Sequence, residues 1–239
     1  MSDSLRNAVR GVTIQRESAT EQVAAALRSS ILSGQIKPGT PLREVALAEE
    51  LQVSRNTIRE SARMLSAEGL VQYVMNHGIV VTDISVEDLD EIYAARYVIE
   101  QAGVDSVIER KNTEILMKLS EKVHELETAM SKKQTLRVIE SDRDFHSTLV
   151  SAIGNARLER FYTQLQQEQR LALSLVENFS DRLGRTEDDH RQLLEAIESG
   201  SRSRAHAELS RHLKRGAVEL HRLRKVMHDV SMDGEAGGE

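Results

Sequence analysis

Cysteine is absent from this chain, proline occurs twice, and the aromatic residues amount to four tyrosines and three phenylalanines. Without cysteine there are no disulfides and no thiolate metal sites. The shortage of proline and aromatics, beside many Ala, Leu, Glu, Arg and Gln, favours helix and predicts few strands. No apolar run is long enough to span a bilayer and nothing resembles a signal peptide, so the expectation is a cytoplasmic protein with no membrane partner. The 239 residues suffice for two modest domains with separate cores.

A surplus of positive charge is also missing, since the formal net charge is −6. Residues 1–83 hold nine Lys or Arg and nine Asp or Glu, which leaves 23 basic against 29 acidic residues in the remainder. The acidity therefore belongs to the C-terminal part. A neutral N-terminal domain can still bind nucleic acid if its basic residues share one face, with affinity resting on dimerisation more than on a bulk field.

What the N-terminal part does contain is a series of helix signals followed by a hairpin. Residues 1–17 lack periodicity and are expected to form a flexible arm. Val23, Ala24, Leu27, Ile31 and Leu32 recur at helical spacing from about Thr20, and Ser33-Gly34 ends that helix. Lys37-Pro38-Gly39 is a turn. A second helix, Glu44 to Leu51, is expected to turn Val45, Leu47, Ala48 and Leu51 inward. Gln52-Val53 bends the chain before Ser54, a good N-cap for a third helix that runs to about Glu68 and buries Ile58, Ala62 and Leu65. Gly69 is a C-cap candidate, and two β-rich runs, Leu70 to Val74 and Ile79 to Thr82, flank a turn over Met75–Gly78.

This order reads as a winged helix-turn-helix over residues 18–83, and it names duplex DNA as partner. In that motif the second helix of the pair enters the major groove, where arginine makes bidentate contacts to guanine. Arg55 and Arg59 lie four apart on one face. Ser54, Asn56 and Thr57 can donate to phosphate from the same helix end, where the dipole favours anions. His77 and Gly78 mark the wing tip. The alternative for the arginines is a solvated face that pairs with Glu60 or nearby acids, and for His77 an ordinary exposed turn histidine.

From Ser85 onward the sequence contains no convincing strand. About six helices are predicted, near 86–109, 112–131, 134–152, 156–177, 184–199 and 202–228, separated by Lys111-Asn112, Gly154-Asn155 and Ser199-Gly200-Ser201. An antiparallel bundle over residues 84–229 is the natural architecture, with residues 230–239 expected to be a disordered tail. The fold class is mainly α. Within the bundle, Asp142 and His146 stand at i and i+4, which places a carboxylate and an imidazole on one helical face. His190 and His212 lie on later helices. By spacing alone each of these four also reads as an ordinary helical or surface residue.

The segment SGQIKPGTPLREVALAEELQVSRNTIRESARMLSAEGLV, followed by HGIVV, resembles the GntR superfamily of bacterial transcription regulators over roughly residues 18–82. Asn56-Thr57 stands where the family usually has Thr-Pro, and Ser61-Ala62 where it has Ala-Leu, so the arginines match while the preferred operator is open. The resemblance implies base or phosphate contacts for Arg55 and Arg59, a backbone contact for Arg43, and a wing contact for His77 and Gly78. The segments IESDRDFHSTL, EDDHRQLLEAIESG and AHAELSRHL resemble the FCD effector domain of the FadR branch, over about residues 86–225. Six helices correspond to its VanR-like members.

By that resemblance Asp142, His146, His190 and His212 match the residues that hold a divalent metal, with His206 the competing ligand. Three imidazoles and a carboxylate suit Zn, Ni, Co, Fe or Mn, and the sequence does not choose among them. Arg96, in YAARYVIE, is the candidate for binding a small carboxylate effector, and its alternative is an intrahelical ion pair with Glu100. The expectation is a homodimeric, metabolite-responsive regulator, by default a repressor, on a pseudo-palindromic operator, with no catalytic residues. Two alternatives stand beside it. One is a metalloenzyme, for which no general base or nucleophile is identifiable. The other is a DNA-binding regulator whose metal is purely structural.

Overall fold

The computed structural model describes residues 18–173 and 187–235. The expected arm, residues 1–17, lies outside them, as do the segment 174–186 and the last four residues of the expected tail.

The chain enters through α1, Ala19–Leu32, started by a capping box in which Ser18 and Glu21 satisfy each other's backbone amides. Its apolar stripe, Val23, Ala24, Leu27 and Ile31, is buried against α3, Arg55–Ala67, which contributes Ile58, Ala62 and Leu65. Between them lies α2, Glu44–Glu50. This helix is a seven-residue segment, so only one stripe reaches α3. Ala48 is buried and Leu47 packs on the core, while Val45 is 49 % and Leu51 38 % exposed, contrary to the expected inward set. Gln52, with φ +52°, makes the turn into α3.

The wing is a three-stranded antiparallel sheet of order β1-β3-β2. β2, Val71–Val74, and β3, Gly78–Val81, match the expected runs, and positive φ at Asn76 and Gly78 turns the chain between them. The sequence reading missed β1, Pro41–Leu42, which pairs with Val80 and Ile79. Two residues opening on proline carry no alternation to detect.

Six further helices follow among the described residues: α4, Val86–Arg110; α5, Thr113–Ser131; α6, Thr135–Ser151; α7, Ala156–Leu173; α8, Glu187–Glu198; and α9, Arg202–Glu235. Helix α9 extends to Glu235, into the stretch read as a disordered tail. Short connectors return the chain at α5–α6, α6–α7 and α8–α9, and the helices pack as a bundle around α4 and α6. The apolar core is continuous from the winged domain into the bundle. Gly69, φ +76°, sits where the two meet: a Cβ there would lie 2.7 Å from Glu168 Oε1 on α7.

Helices α4 and α6 approach most closely at Gly103, where an added Cβ would lie 2.5 Å from the carbonyl oxygen of Leu149. Backbone cannot yield as a side chain does. Gly103→Ala is therefore expected to destabilise the protein by about 1–3 kcal/mol through overpacking, seen as a lower Tm. An unchanged Tm would mean that the two helices separate without cost.

Candidate functional site

Two groups of side chains carry chemistry, one on each domain. On the winged domain, Ser54 caps α3 by accepting from the Thr57 amide at 3.0 Å, and its hydroxyl also lies 2.8 Å from Thr57 Oγ1. The first turns of α3 then present Arg55, Asn56 and Arg59 to solvent, with Thr57 half-buried. The arginine side chains, 60 % and 54 % exposed, converge on Glu44 of α2: Arg59 Nε lies 2.8 Å and Arg55 Nη2 3.7 Å from Glu44 Oε2.

Glu60, the acid next to Arg59 in sequence, pairs with Arg63 instead at 2.6 Å. Adjacent helical positions point about 100° apart, whereas α2 lies across from the arginine face. Arg43, the N-cap of α2, is exposed and makes no side-chain cap bond. His77 and Gly78 are exposed at the hairpin tip, and the Tyr73 hydroxyl, 3.5 Å from the Arg59 carbonyl, sets the wing against α3.

In the bundle, Asp142 and His146 come from α6, His190 from α8 and His212 from α9. Each offers one donor atom, and the four atoms lie within 4.8 Å of one another. The three imidazoles are buried, while the Asp142 side chain is about one third exposed and gives the cluster its wet edge. His190 Nε2 lies 3.1 Å and His146 Nε2 3.9 Å from Asp142 Oδ1, and the Nε2 atoms of His146 and His212 are 2.9 Å apart. Nitrogens at that separation subtend about a right angle at an ion ~2.0–2.1 Å from each, so the donor set fits a divalent metal.

Protonation agrees with that fit. Burial, then the neighbouring His190 and His146, push the His212 imidazole well down, so it is neutral. Burial opposes charge on Asp142, but the His190 hydrogen bond and the surrounding imidazoles outweigh it and hold the carboxyl below its ordinary range. His206, the competing ligand, is engaged elsewhere, with Nε2 2.8 Å from Asp105 Oδ1 and Nδ1 3.0 Å from Gln101 Nε2.

Behind the cluster stands Glu100, fully buried on α4. It accepts from His146 Nδ1 at 2.7 Å, from Tyr162 Oη at 2.6 Å and from Arg96 Nε at 2.8 Å. Burial works against its charge, yet Arg96 and then His146 prevail and hold its pKa at about 2. An ionised Glu100 only accepts, so His146 donates from Nδ1 and turns the Nε2 lone pair toward the cluster. Arg96 is 3 % exposed, its Nη1 donates to Gln169 Oε1 at 2.5 Å, and its guanidinium lies 5.4 Å from the Tyr93 ring centre. The ion pair with Glu100, the alternative reading of Arg96, is thus present. Sequence reasoning missed Glu44, Tyr93, Tyr162 and Gln169 as site residues, and no local periodicity marks any of them.

Residues 19–81 match the bacterial regulatory proteins of the gntR family and residues 91–215 match the FCD domain. The chain belongs to the GntR family. This GntR-family chain is 27 % identical over 195 residues to the HTH-type transcriptional regulator YdhC of Bacillus subtilis, covering 81 % of the chain and 87 % of that protein. It is 29 % identical over 195 residues to the gluconate operon transcriptional repressor of Bacillus licheniformis, covering 79 % of each. A solved GntR regulator from Rhodococcus sp. RHA1 superposes with a TM-score of 0.71 at 26 % identity, covering 85 % of the chain and 98 % of that structure.

The protein is a DNA-binding transcription regulator with a helical FCD domain, and the metalloenzyme alternative is set aside because the family and the relatives are regulators. Among the described residues no helix is long and apolar enough to cross a membrane.

Proposed function

We propose that this regulator is a cytoplasmic homodimer of the FadR branch, in its six-helix VanR-like form, that represses transcription until a small carboxylate metabolite binds. Its DNA-binding domain is residues 18–83 and its metal, effector and dimerisation domain residues 84–229. Two winged domains contact the half-sites of a pseudo-palindromic operator. There Arg55 and Arg59 meet bases or phosphates, Arg43, Ser54, Asn56 and Thr57 meet the backbone, and His77 and Gly78 approach from the wing.

The observation that carries the input side is the convergence of Asp142, His146, His190 and His212 in front of the buried Arg96–Glu100 pair. These four residues would hold a divalent ion, Zn, Ni, Co, Fe or Mn, which supplies open positions for a carboxylate oxygen. Arg96 balances the rest of the ligand's charge from behind, with Gln169 the contact it exchanges. Asp142, the exposed member, borders the entrance. A ligand seated there shifts α6 against α4 and α7, and α7 touches the winged domain at Gly69.

The test joins metal analysis to DNA binding. Alanine at Asp142, His146, His190 and His212 together should abolish stoichiometric metal, and full occupancy in that variant would reject the site. With metal-loaded wild type, gluconate or malonate should weaken a gel shift on a duplex selected by the protein from a randomised pool. Chelation should remove that response. No response to any carboxylate, with metal present, would favour the purely structural ion.

A further inference from the structure

Glu44 places a negative charge among the groups that meet DNA, where a carboxylate repels phosphate. It is the one acid that both Arg55 and Arg59 reach, at 3.7 and 2.8 Å, and its own side chain is only 22 % exposed. The other acid at hand, Glu60, is occupied by Arg63. We propose that Glu44 is a specificity-determining positioning residue: it holds the two recognition arginines ready for base edges and lowers their attraction for phosphate in general. The inference deepens the DNA-binding part of the function proposed above.

The geometry assigns different parts to the two arginines. Arg59 spends Nε on Glu44 in a tight contact, which fixes the plane of its guanidinium and leaves the terminal nitrogens directed outward. A planar fork held that way suits the paired acceptors of guanine, N7 and O6. Arg55 meets the same oxygen only at 3.7 Å through a terminal nitrogen, so it keeps the freedom to follow the backbone. The pair leaves one net positive charge where two arginines would present two. Non-specific binding depends on that count through counterion release, whereas base readout depends on orientation. One carboxylate therefore acts on both quantities in opposite directions.

The experiment uses the full chain, a duplex that the wild-type protein selects from a randomised pool, and a scrambled duplex of equal composition. Glu44→Gln keeps the shape and removes the charge. Affinity for the scrambled duplex should rise about threefold or more, its salt slope should steepen by about one, and the ratio of selected to scrambled affinity should fall about tenfold, the size of one lost base contact. A ratio within twofold of wild type would overturn the proposal.

Glu44 also lies in the first turn of α2, where an acid favours the helix dipole. Arg59→Ala separates that structural role from the proposed one: with Arg59 gone, Glu44→Gln should no longer change the ratio, while an effect of unchanged size would overturn action through the arginine. Failure of the wild type to select any duplex would reject the DNA reading itself, a result distinct from selection with an unchanged ratio.

Discussion

Replacing Arg55 and Arg59 together by alanine is expected to lower affinity for the selected duplex by about three orders of magnitude, because each good bidentate contact to a base contributes ~1–3 kcal/mol and a dimer repeats the loss. Folding should be untouched. Both side chains are more than half exposed, their pairing with Glu44 is a surface contact of little stabilising value, and alanine is the better helix former. Circular dichroism and Tm should therefore match wild type while anisotropy titrations lose the transition. Because the bulk field of the winged domain is balanced, no reservoir of other positive charge exists to rescue binding. Equal affinity in variant and wild type would remove α3 from the DNA interface.

The second large effect concerns the bundle. Glu100→Ala removes the acceptor for three buried donors and leaves Arg96, 3 % exposed, without its counter-charge. Breaking a buried pair from one side costs about 3–5 kcal/mol, and for a chain of this size that lowers Tm by roughly 10 °C. His146 loses the partner that fixes its tautomer, so metal affinity should fall a further ~10–100-fold. The double variant Arg96→Met with Glu100→Leu separates the two roles. It should recover most of the stability, since well-packed apolar residues replace a buried pair without penalty, yet it should not recover metal affinity. A single Glu100→Ala variant with unchanged Tm would refute this account of the core.

The legible parts of this protein are the local ones. Ser54 as cap, Ile58, Ala62 and Leu65 as the buried stripe of α3, and the β2–β3 hairpin all follow from spacing and turn chemistry within a dozen residues. Asp142 and His146 were visible as an i, i+4 pair because one helix places both. The same logic failed where a short element offered little pattern, at β1, and where several apolar residues competed for one stripe, at Val45 and Leu51.

The sequence by itself determined that the chain is a winged helix-turn-helix followed by a helical bundle, and which residues could serve each end, since period, caps and motifs are properties of neighbours along the chain. Only the tertiary structure decided which of them meet. It drew His190 and His212 from separate helices to Asp142 and His146, sent His206 to Asp105, and buried Arg96 and Glu100 with Tyr162 behind the cluster. It also turned Arg55 and Arg59 onto Glu44 instead of Glu60. Such choices rest on helix packing and on the cost of burying an unpaired charge, and those energies depend on residues tens of positions apart, which no local pattern records.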